Sequence, residues 1–143
     1  VAGEFIRQVA ATVCPASAVE VAPEAEDVSL RIDKRRLERA FANLVQNAEK
    51  YAGGVVRIGL RRSPTGVRFE VDDQGPGVPE ADRERVFERF ARGGAGRRTA
   101  GTGVGLGLAL VSEHVALHGG KVCAEARPGG GARFVIELPV RAS

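Results

Sequence analysis

The chain is 143 residues long, 43% of them are apolar, and its 21 lysines and arginines nearly balance 18 acidic residues. This length and composition predict one globular domain with its own core. The cations are interspersed with the acids, so the net charge of +3 does not indicate nucleic-acid binding. No stretch is typical of a membrane span or a signal peptide, and two cysteines far apart favour a reducing compartment. Because the chain begins at Val1 and contains no methionine, we expect a cytosolic piece of a longer protein.

The first third of the sequence predicts a helix, two short strands and a long helix. Apolar residues recur at helical spacing over Glu4–Thr12, which predicts a leading helix. Ala18–Ala22 and Val28–Ile32 are β-like and flank an acidic turn, so we expect them to pair as a hairpin. Asp33 stands at the N-cap position of the second helix, which should end at Gly53-Gly54. The apolar face of this helix comprises Leu37, Ala40, Phe41, Leu44, Val45 and Ala48.

The rest of the chain predicts two hairpins, a mobile loop and a third helix that runs to about His118. The loop covers residues 91–102, which are glycine-rich and basic and show no apolar periodicity. The predicted hairpin strands are Val55–Arg62, Val67–Val71, Lys121–Ala126 and Ala132–Pro139. This order predicts an α/β (α+β) fold: a two-layer α/β sandwich whose mixed, mostly antiparallel sheet carries about three helices on one face.

Glycine occupies every second position from Gly101 to Gly107, immediately before the third helix. Glycine weakens both strands and helix interiors, so another requirement must place it there. An exposed linker would satisfy the pattern. A phosphate site would satisfy it equally, because a helix N-terminus presents unpaired N–H groups and missing Cβ atoms allow an anion to approach.

Polar residues lie along one face of the second helix, beside the apolar stripe: Asn43, Asn47 and the pair Lys50 and Tyr51. Asparagine is unfavourable in a helix interior because its amide competes with the backbone. The two asparagines are therefore either surface amides or ligands. As a ligand, Asn47 would offer a neutral amide oxygen to a Mg²⁺ ion that bridges substrate phosphates, and Lys50 would add a positive charge against those phosphates.

Asp73, Gly75 and Gly77 form the pattern D-x-G-x-G directly after a predicted strand. A carboxylate at a strand end can accept a hydrogen bond from the exocyclic amine of a base, while the glycines let the backbone turn beneath a flat ring. An ordinary acidic turn has the same pattern. Arg89 and Arg92 further along the chain are equally consistent with phosphate contacts and with solvated charge.

Two histidines, His114 and His118, lie one turn apart on the third helix. A metal pair has this spacing, but no third ligand stands near them in the sequence, and a helix C-terminus stabilises a cationic histidine. We therefore interpret both as structural residues.

Four segments, in this order, resemble the N, G1, F and G2 boxes of the sensor histidine kinases: N-L-V-Q-N-A-E-K-Y at 43–51, D-Q-G-P-G at 73–77, V-F-E-R-F at 86–90 and G-V-G-L-G-L-A-L at 103–110. The resemblance spans about Leu30 to Pro139, and four boxes together are far more specific than any one. It implies the Bergerat (GHKL) ATP-binding fold, as a single domain over residues 1–143. In that domain residues 1–17 would be a leading linker or helix, and residues 91–102 an ATP lid.

At the adenine end of the site, the resemblance implies that Asp73 binds the exocyclic amine, in a box that includes Gly75 and Gly77. The family's last hairpin often carries Gly-Thr-x-Phe, whereas this sequence has G-A-R-F at 131–134. Since Ala132 lacks the hydroxyl, no hydroxyl contact near the adenine is implied here.

At the phosphate end, the resemblance implies that Asn47 is the Mg²⁺ ligand. Asn43 and Lys50 are implied as catalytic residues that also contact the nucleotide, and Tyr51 lies with them on the phosphate and ribose side. Val104 stands where the family commonly has Thr or Ser. The further nucleotide contacts that the resemblance implies are Arg89, Arg92, Gly103, Val104, Gly105, Leu106 and Gly107.

The implied reaction is transfer of the ATP γ-phosphoryl group to a histidine on a separate dimerisation domain. The related ATPases carry a general-base Glu one turn before the Mg²⁺ asparagine, whereas this sequence has Asn43, which cannot take a proton at neutral pH. Transfer is therefore favoured over hydrolysis, and a GHKL ATPase or a non-catalytic, nucleotide-gated regulatory module is the alternative. The family's phosphoacceptor histidine is followed by Glu or Asp on a separate dimerisation helix, and neither histidine here has that setting, so the chain alone is not expected to autophosphorylate.

The implied partners are the dimerisation and phosphoacceptor domain of the same kinase and a downstream response regulator. We expect no nucleic-acid partner and no direct membrane contact from this piece of chain. It should be monomeric, as the cytoplasmic domain of a homodimeric parent protein that is anchored in the cell membrane.

Overall fold

The computed structural model describes residues 1–15, 17–75, 106–128 and 130–140, and for residues 50–52 and 106–107 it describes the backbone alone. Within these ranges the elements are α1 (Ala2–Val13), β1 (Ala18–Val21), a 3₁₀ turn (Pro23–Ala25), α2 (Lys34–Ala52), β2 (Val55–Arg62), β3 (Gly66–Asp73), α3 (Leu106–Leu117), β4 (Lys121–Ala126) and β5 (Ala132–Pro139). The sheet has the strand order β1-β2-β3-β5-β4, with β1 parallel to β2 and every other neighbouring pair antiparallel. None of the helices in these ranges combines the length and the apolar composition that crossing a bilayer requires.

Three phenylalanines join the helices to the inner face of the sheet. The ring of Phe69 on β3 meets Phe41 of α2 edge-on at a centroid distance of 5.3 Å and Phe5 of α1 at 6.1 Å. Such pairs add about 0.5–1.5 kcal/mol beyond the burial of their surface. The predicted apolar face of α2 is buried at every position: Leu37, Ala40, Phe41, Leu44, Val45 and Ala48. The predicted two-layer α/β sandwich is confirmed.

Both ends of α2 have the predicted caps. One carboxylate oxygen of Asp33 accepts hydrogen bonds from the N–H groups of Arg35 (3.1 Å) and Arg36 (3.2 Å), which the helix itself leaves without partners. At the other end Gly53 has a φ of 75°, a conformation that glycine adopts without a Cβ penalty. These caps fix the extent of the helix that carries Asn43 and Asn47.

The predicted hairpin between Ala18–Ala22 and Val28–Ile32 is wrong. β1 pairs with β2 instead, and residues 28–32 follow the 3₁₀ turn without forming a strand. The carbonyl of Val28 accepts the N–H of Ala2 at 2.8 Å, and the Val28 side chain is buried in the core. The segment therefore contributes an apolar side chain to the core without pairing as a strand.

The two other predicted hairpins are confirmed. β2 and β3 pair through a tight turn in which the N–H of Ser63 donates to the carbonyl of Gly66 at 2.9 Å, and β4 and β5 have the predicted bounds. β3 continues two residues beyond its predicted end, through Asp72 and Asp73. Because side chains alternate along a strand, these two carboxylates lie on opposite faces of the sheet.

Candidate functional site

Asp73, the last residue of β3, lies on the inner face of the sheet with only 1% of its surface exposed. One of its carboxylate oxygens, Oδ1, accepts the N–H of Gly75 at 3.0 Å and the N–H of Ala132 at 3.1 Å. The first bond forms the local turn that aspartate favours after a strand. The second bond reaches across to β5, so the carboxylate is held both by the chain that follows it and by the neighbouring strand.

Gly131 allows β5 to begin directly against Asp73. Its φ is 96°, and a Cβ at this position would lie 2.0 Å from the carbonyl oxygen of Asp73. Both the conformation and the close approach exclude a side chain here. The glycine of G-A-R-F thus brings the Ala132 N–H within reach of Asp73.

Asn47 is buried on α2, with 8% of its surface exposed, whereas Asn43 one turn earlier is half-buried. The interpretation of both residues as surface amides therefore fails for Asn47. Its Nδ2 atom is buried and has no hydrogen-bond partner among the residues that the structure describes. An unsatisfied buried donor costs about 1–3 kcal/mol, so this amide calls for a functional explanation.

The helix that carries Asn47 packs against both the strand that carries Asp73 and the helix of the glycine-rich stretch. α3 includes Leu106 and Gly107 in its backbone, and its Leu108, Val111 and Val115 are buried. The structure describes Lys50 and Tyr51 only as backbone in α2. The other predicted contacts and the predicted lid at 91–102 lie outside the described residues: Gly77, Arg89, Arg92, Gly103, Val104 and Gly105.

A histidine that the sequence analysis interpreted only as structural ties the end of α3 to the start of α2. The Nε2 atom of His118 accepts the N–H of Asp33 at 2.9 Å, while its Nδ1 lies 2.8 Å from the carbonyl oxygen of His114. The neutral ring, protonated on Nδ1, thus donates to α3 and accepts from the residue that caps α2. Local spacing carried no signal of this partner.

The sequence analysis missed a layer of ion pairs on the outer face of the sheet. Glu70 and Asp72 point away from the helices, yet they expose only 1% and 0% of their surface because arginine side chains cover them. Burial by itself raises the pKa of Glu70, but hydrogen bonds from Arg68 and Arg57 outweigh it and hold that pKa below its ordinary value. The visible signal was the alternation of charged Arg68, Glu70 and Asp72 with apolar residues along β3. The donors to Glu70 and Asp72 are Arg57, Arg61, Arg68 and Arg133.

The sequence profile of the histidine kinase-, DNA gyrase B- and HSP90-like ATPases matches residues 32–142. The chain therefore belongs to this family. The family profile covers several classes of ATPase and kinase. The curated proteins with similar sequences are named as histidine kinases, which selects one of these classes. Within the family, the chain is the ATP-binding catalytic domain of a sensor histidine kinase, as the four boxes predicted.

AfsQ2 of Streptomyces coelicolor, named a signal transduction histidine-protein kinase, is 43% identical over 113 residues, which cover 78% of this chain and 21% of AfsQ2. The sensor-type histidine kinase PrrB of Mycobacterium tuberculosis is 45% identical over 104 residues, which cover 72% of this chain and 23% of PrrB. The chain thus spans about a fifth of the length of these curated relatives.

Solved structures agree with this assignment. The crystal structure of the ATP-binding domain of Mycobacterium tuberculosis PrrB superimposes with a TM-score of 0.71 at 32% identity, covering 99% of this chain and 95% of that domain. Full-length ShkA, crystallised in complex with AMPPNP, superimposes with a TM-score of 0.75 at 31% identity, covering 100% of this chain and 31% of ShkA. The match to an isolated ATP-binding domain over almost its full length confirms the predicted fold.

Proposed function

We propose that this chain transfers the γ-phosphoryl group of ATP to a histidine side chain on a separate dimerisation domain. The observation that carries the proposal is Asn43, which lies one helical turn before the buried Asn47. A carboxylate at that position could activate water as a general base, but an amide cannot accept a proton at neutral pH. The ATP-binding domain therefore lacks the base for hydrolysis at this position, and phosphoryl transfer to an external nucleophile fits it better.

In this proposal the carboxylate of Asp73 accepts a hydrogen bond from the exocyclic amine of adenine. Support comes from its burial and from the two N–H groups that hold it at the end of β3. A charged acceptor gives a shorter and stronger hydrogen bond than a neutral one. A rigidly held carboxylate also distinguishes adenine from a base that presents a carbonyl oxygen at the same place.

The residues present also fit a Mg²⁺ ion. Asn47 would hold it through its amide oxygen, because the side chain is neutral and buried, and an amide oxygen is a ligand that hard cations accept. Mg²⁺ keeps several waters and bridges substrate phosphates, so one protein oxygen from α2 suffices. When bound, the ion would neutralise phosphate charge, and we assign Asn43, Lys50 and Tyr51 to the phosphate and ribose side of the same nucleotide.

The parent protein would supply the other half of the reaction. Its dimerisation domain would carry the phosphoacceptor histidine, and a response regulator would receive the phosphoryl group next. We place this chain in the cytoplasmic part of a homodimeric parent anchored in the membrane, in keeping with the relative PrrB, which is named a sensor-type histidine kinase.

The test supplies the chain with Mg²⁺, radiolabelled ATP and the dimerisation domain of the parent protein. We expect acid-labile, base-stable phosphate on the added domain, and none when its acceptor histidine is replaced by glutamine. An intact acceptor that stays unlabelled while ATP is bound would refute the transfer. Steady ADP release without the acceptor, surviving in Asn43→Ala, would point to an ATPase instead.

A further inference from the structure

Two consecutive residues of β5 bind two consecutive carboxylates of β3, one on each face of the sheet. On the inner face the N–H of Ala132 donates to Asp73 at 3.1 Å. On the outer face Arg133 donates to Asp72 through two bonds, from Nε to Oδ1 at 2.8 Å and from Nη2 to Oδ2 at 3.1 Å. Hydrogen bonds on both faces of the sheet therefore hold the end of β3 against the start of β5.

We propose that Arg133, through Asp72, is a positioning residue for the adenine contact of Asp73. The inference rests on the proposed function of Asp73. Asp72 and Arg133 form the last residue pair of the β3–β5 ladder, so Ala132 has no ladder pair with β3 and is paired only with Ala126 of β4 on its other side. The forked guanidinium group of Arg133 binds both carboxylate oxygens of Asp72, so it restrains both the distance and the orientation between the two residues. It thereby holds the neighbouring Ala132 N–H within hydrogen-bond distance of the Asp73 carboxylate.

A second arginine, Arg127, contacts both the Asp72 carboxylate and the turn between β4 and β5. The Nε atom of Arg127 lies 3.7 Å from Oδ2 of Asp72, and its Nη1 donates to the carbonyl of Gly130 at 3.3 Å. Its backbone N–H also donates to the carbonyl of Gly131 at 3.1 Å. Asp72 is therefore contacted by Arg127, which precedes the turn, and by Arg133, which follows it, and the segment between them positions Ala132 beside Asp73.

Arg68 offers a matched comparison within the same layer. Its side chain is 18% exposed, as is that of Arg133, and each donates an Nε bond of 2.8 Å to a carboxylate that is 1% exposed. The carboxylate that Arg68 binds is Glu70, in the middle of β3, where Arg68 lies opposite Glu137 and Glu70 lies opposite Val135 of β5. Arg68 also donates to Glu125 on β4 at 2.6 Å, so it should contribute to folding at least as much as Arg133 does, but it makes no contact of its own with Asp72.

The test compares Arg133→Lys with Arg68→Lys, since lysine keeps the charge and loses the fork. Affinities are measured by titration calorimetry for ATP and for purine riboside triphosphate, which lacks the exocyclic amine. We expect Arg133→Lys to weaken ATP binding about threefold to tenfold, the range for one hydrogen bond. It should leave binding of the amine-free analogue unchanged, so that the preference for ATP shrinks, whereas Arg68→Lys should leave the preference intact.

An equal loss for both nucleotides, or an equal effect of Arg68→Lys, would overturn the proposal, because a merely structural role does not select for the amine. The Ala132 amide proton gives a second readout by NMR, since weakening its bond to Asp73 should move its resonance upfield in Arg133→Lys alone. If Arg133→Lys does not fold, the same two titrations are made with Arg127→Gln, for which we expect a smaller loss of ATP affinity. A parent chain that binds both nucleotides equally would instead refute the adenine role of Asp73 itself.

Discussion

Replacing Asp73 by asparagine should separate nucleotide binding from stability. The asparagine carbonyl oxygen can still accept the N–H groups of Gly75 and Ala132, which lie 3.0 and 3.1 Å from the native Oδ1. The amide nitrogen, however, would meet the adenine amine with a donor where the native side chain offers an acceptor. A hydrogen bond to a charged group contributes about 1.5–3 kcal/mol, so ATP affinity should fall roughly 10- to 150-fold. The melting temperature should change little.

Asp73→Ala provides the contrast, because it removes the acceptor altogether. Ala132 is fully buried, so its N–H would lose its partner without gaining water, at a cost of about 1–3 kcal/mol. The N–H of Gly75 is only part-buried and can turn to solvent. At about 3 °C per kcal/mol for a chain of this size, the melting temperature of Asp73→Ala should fall by roughly 3–9 °C.

Titration calorimetry with ATP and thermal melting of both variants measure the two effects separately. Asp73→Asn binding ATP as tightly as the parent would show that the carboxylate does not contact the amine. Equal melting temperatures for the two variants would show that the bonds to Gly75 and Ala132 do not stabilise the fold as argued.

Three further changes test the metal site, the core and a half-buried histidine. Asn47→Ala should remove most of the gain in ATP affinity that Mg²⁺ provides, because it deletes the amide oxygen that would hold the ion; titrations with and without Mg²⁺ that match the parent would contradict the assignment. Phe41→Ala should lower the free energy of unfolding in urea by about 3–5 kcal/mol, whereas Leu117→Ala, at a residue 67% exposed, should change it by about 0.5 kcal/mol at most. Burial, and next the charges of two nearby arginines, lower the pKa of His114 below 6.5, so the unfolded chain binds this proton more readily than the folded protein. The contribution of His114 to stability is therefore complete above pH 6.5 and is lost as the pH falls towards its lower folded pKa. His114→Gln should flatten the fall of melting temperature between about pH 7 and pH 5, and an unchanged slope would refute this reading.

Elements whose signals lie within a few residues of one another were predictable. α2 has its cap at Asp33, its stop at Gly53 and an unbroken apolar stripe between them, and all three act through local geometry. The last hairpin likewise has alternating strands on either side of a glycine-rich turn. In both cases the sequence contains the interacting groups as near neighbours.

Strand order was not predictable, because it depends on contacts between segments far apart in the chain. Val28–Ile32 has the alternation of a half-buried strand, and its first residue is indeed buried. Alternation reports which residues face the core, but it does not identify the neighbouring strand. β1 therefore pairs with β2, while the segment that resembled its partner covers the core without joining the sheet.

In the candidate site, too, local sequence signals were predictable, whereas contacts between distant segments were not. The boxes predicted chemical roles for Asp73 and Asn47, but they did not reveal what holds these side chains in place. The donor that restrains Asp73 is the backbone N–H of Ala132, which is 59 residues further along the chain, and a backbone donor has no sequence signature. The burial of Asn47 likewise depends on where α2 packs.

The ion-pair layer links register to the site. In the observed register Asp72 lies opposite Arg133, and Ala132 follows on the inner face against Asp73. A shift of one residue would move every side chain of β5 to the other face, placing Phe134 outside and Arg133 within the core. The Asp72–Arg133 pair resists that shift from outside while Phe134 resists it from within. A charged strand face that sequence alone presents as solvated surface thus specifies the alignment on which the proposed adenine contact depends.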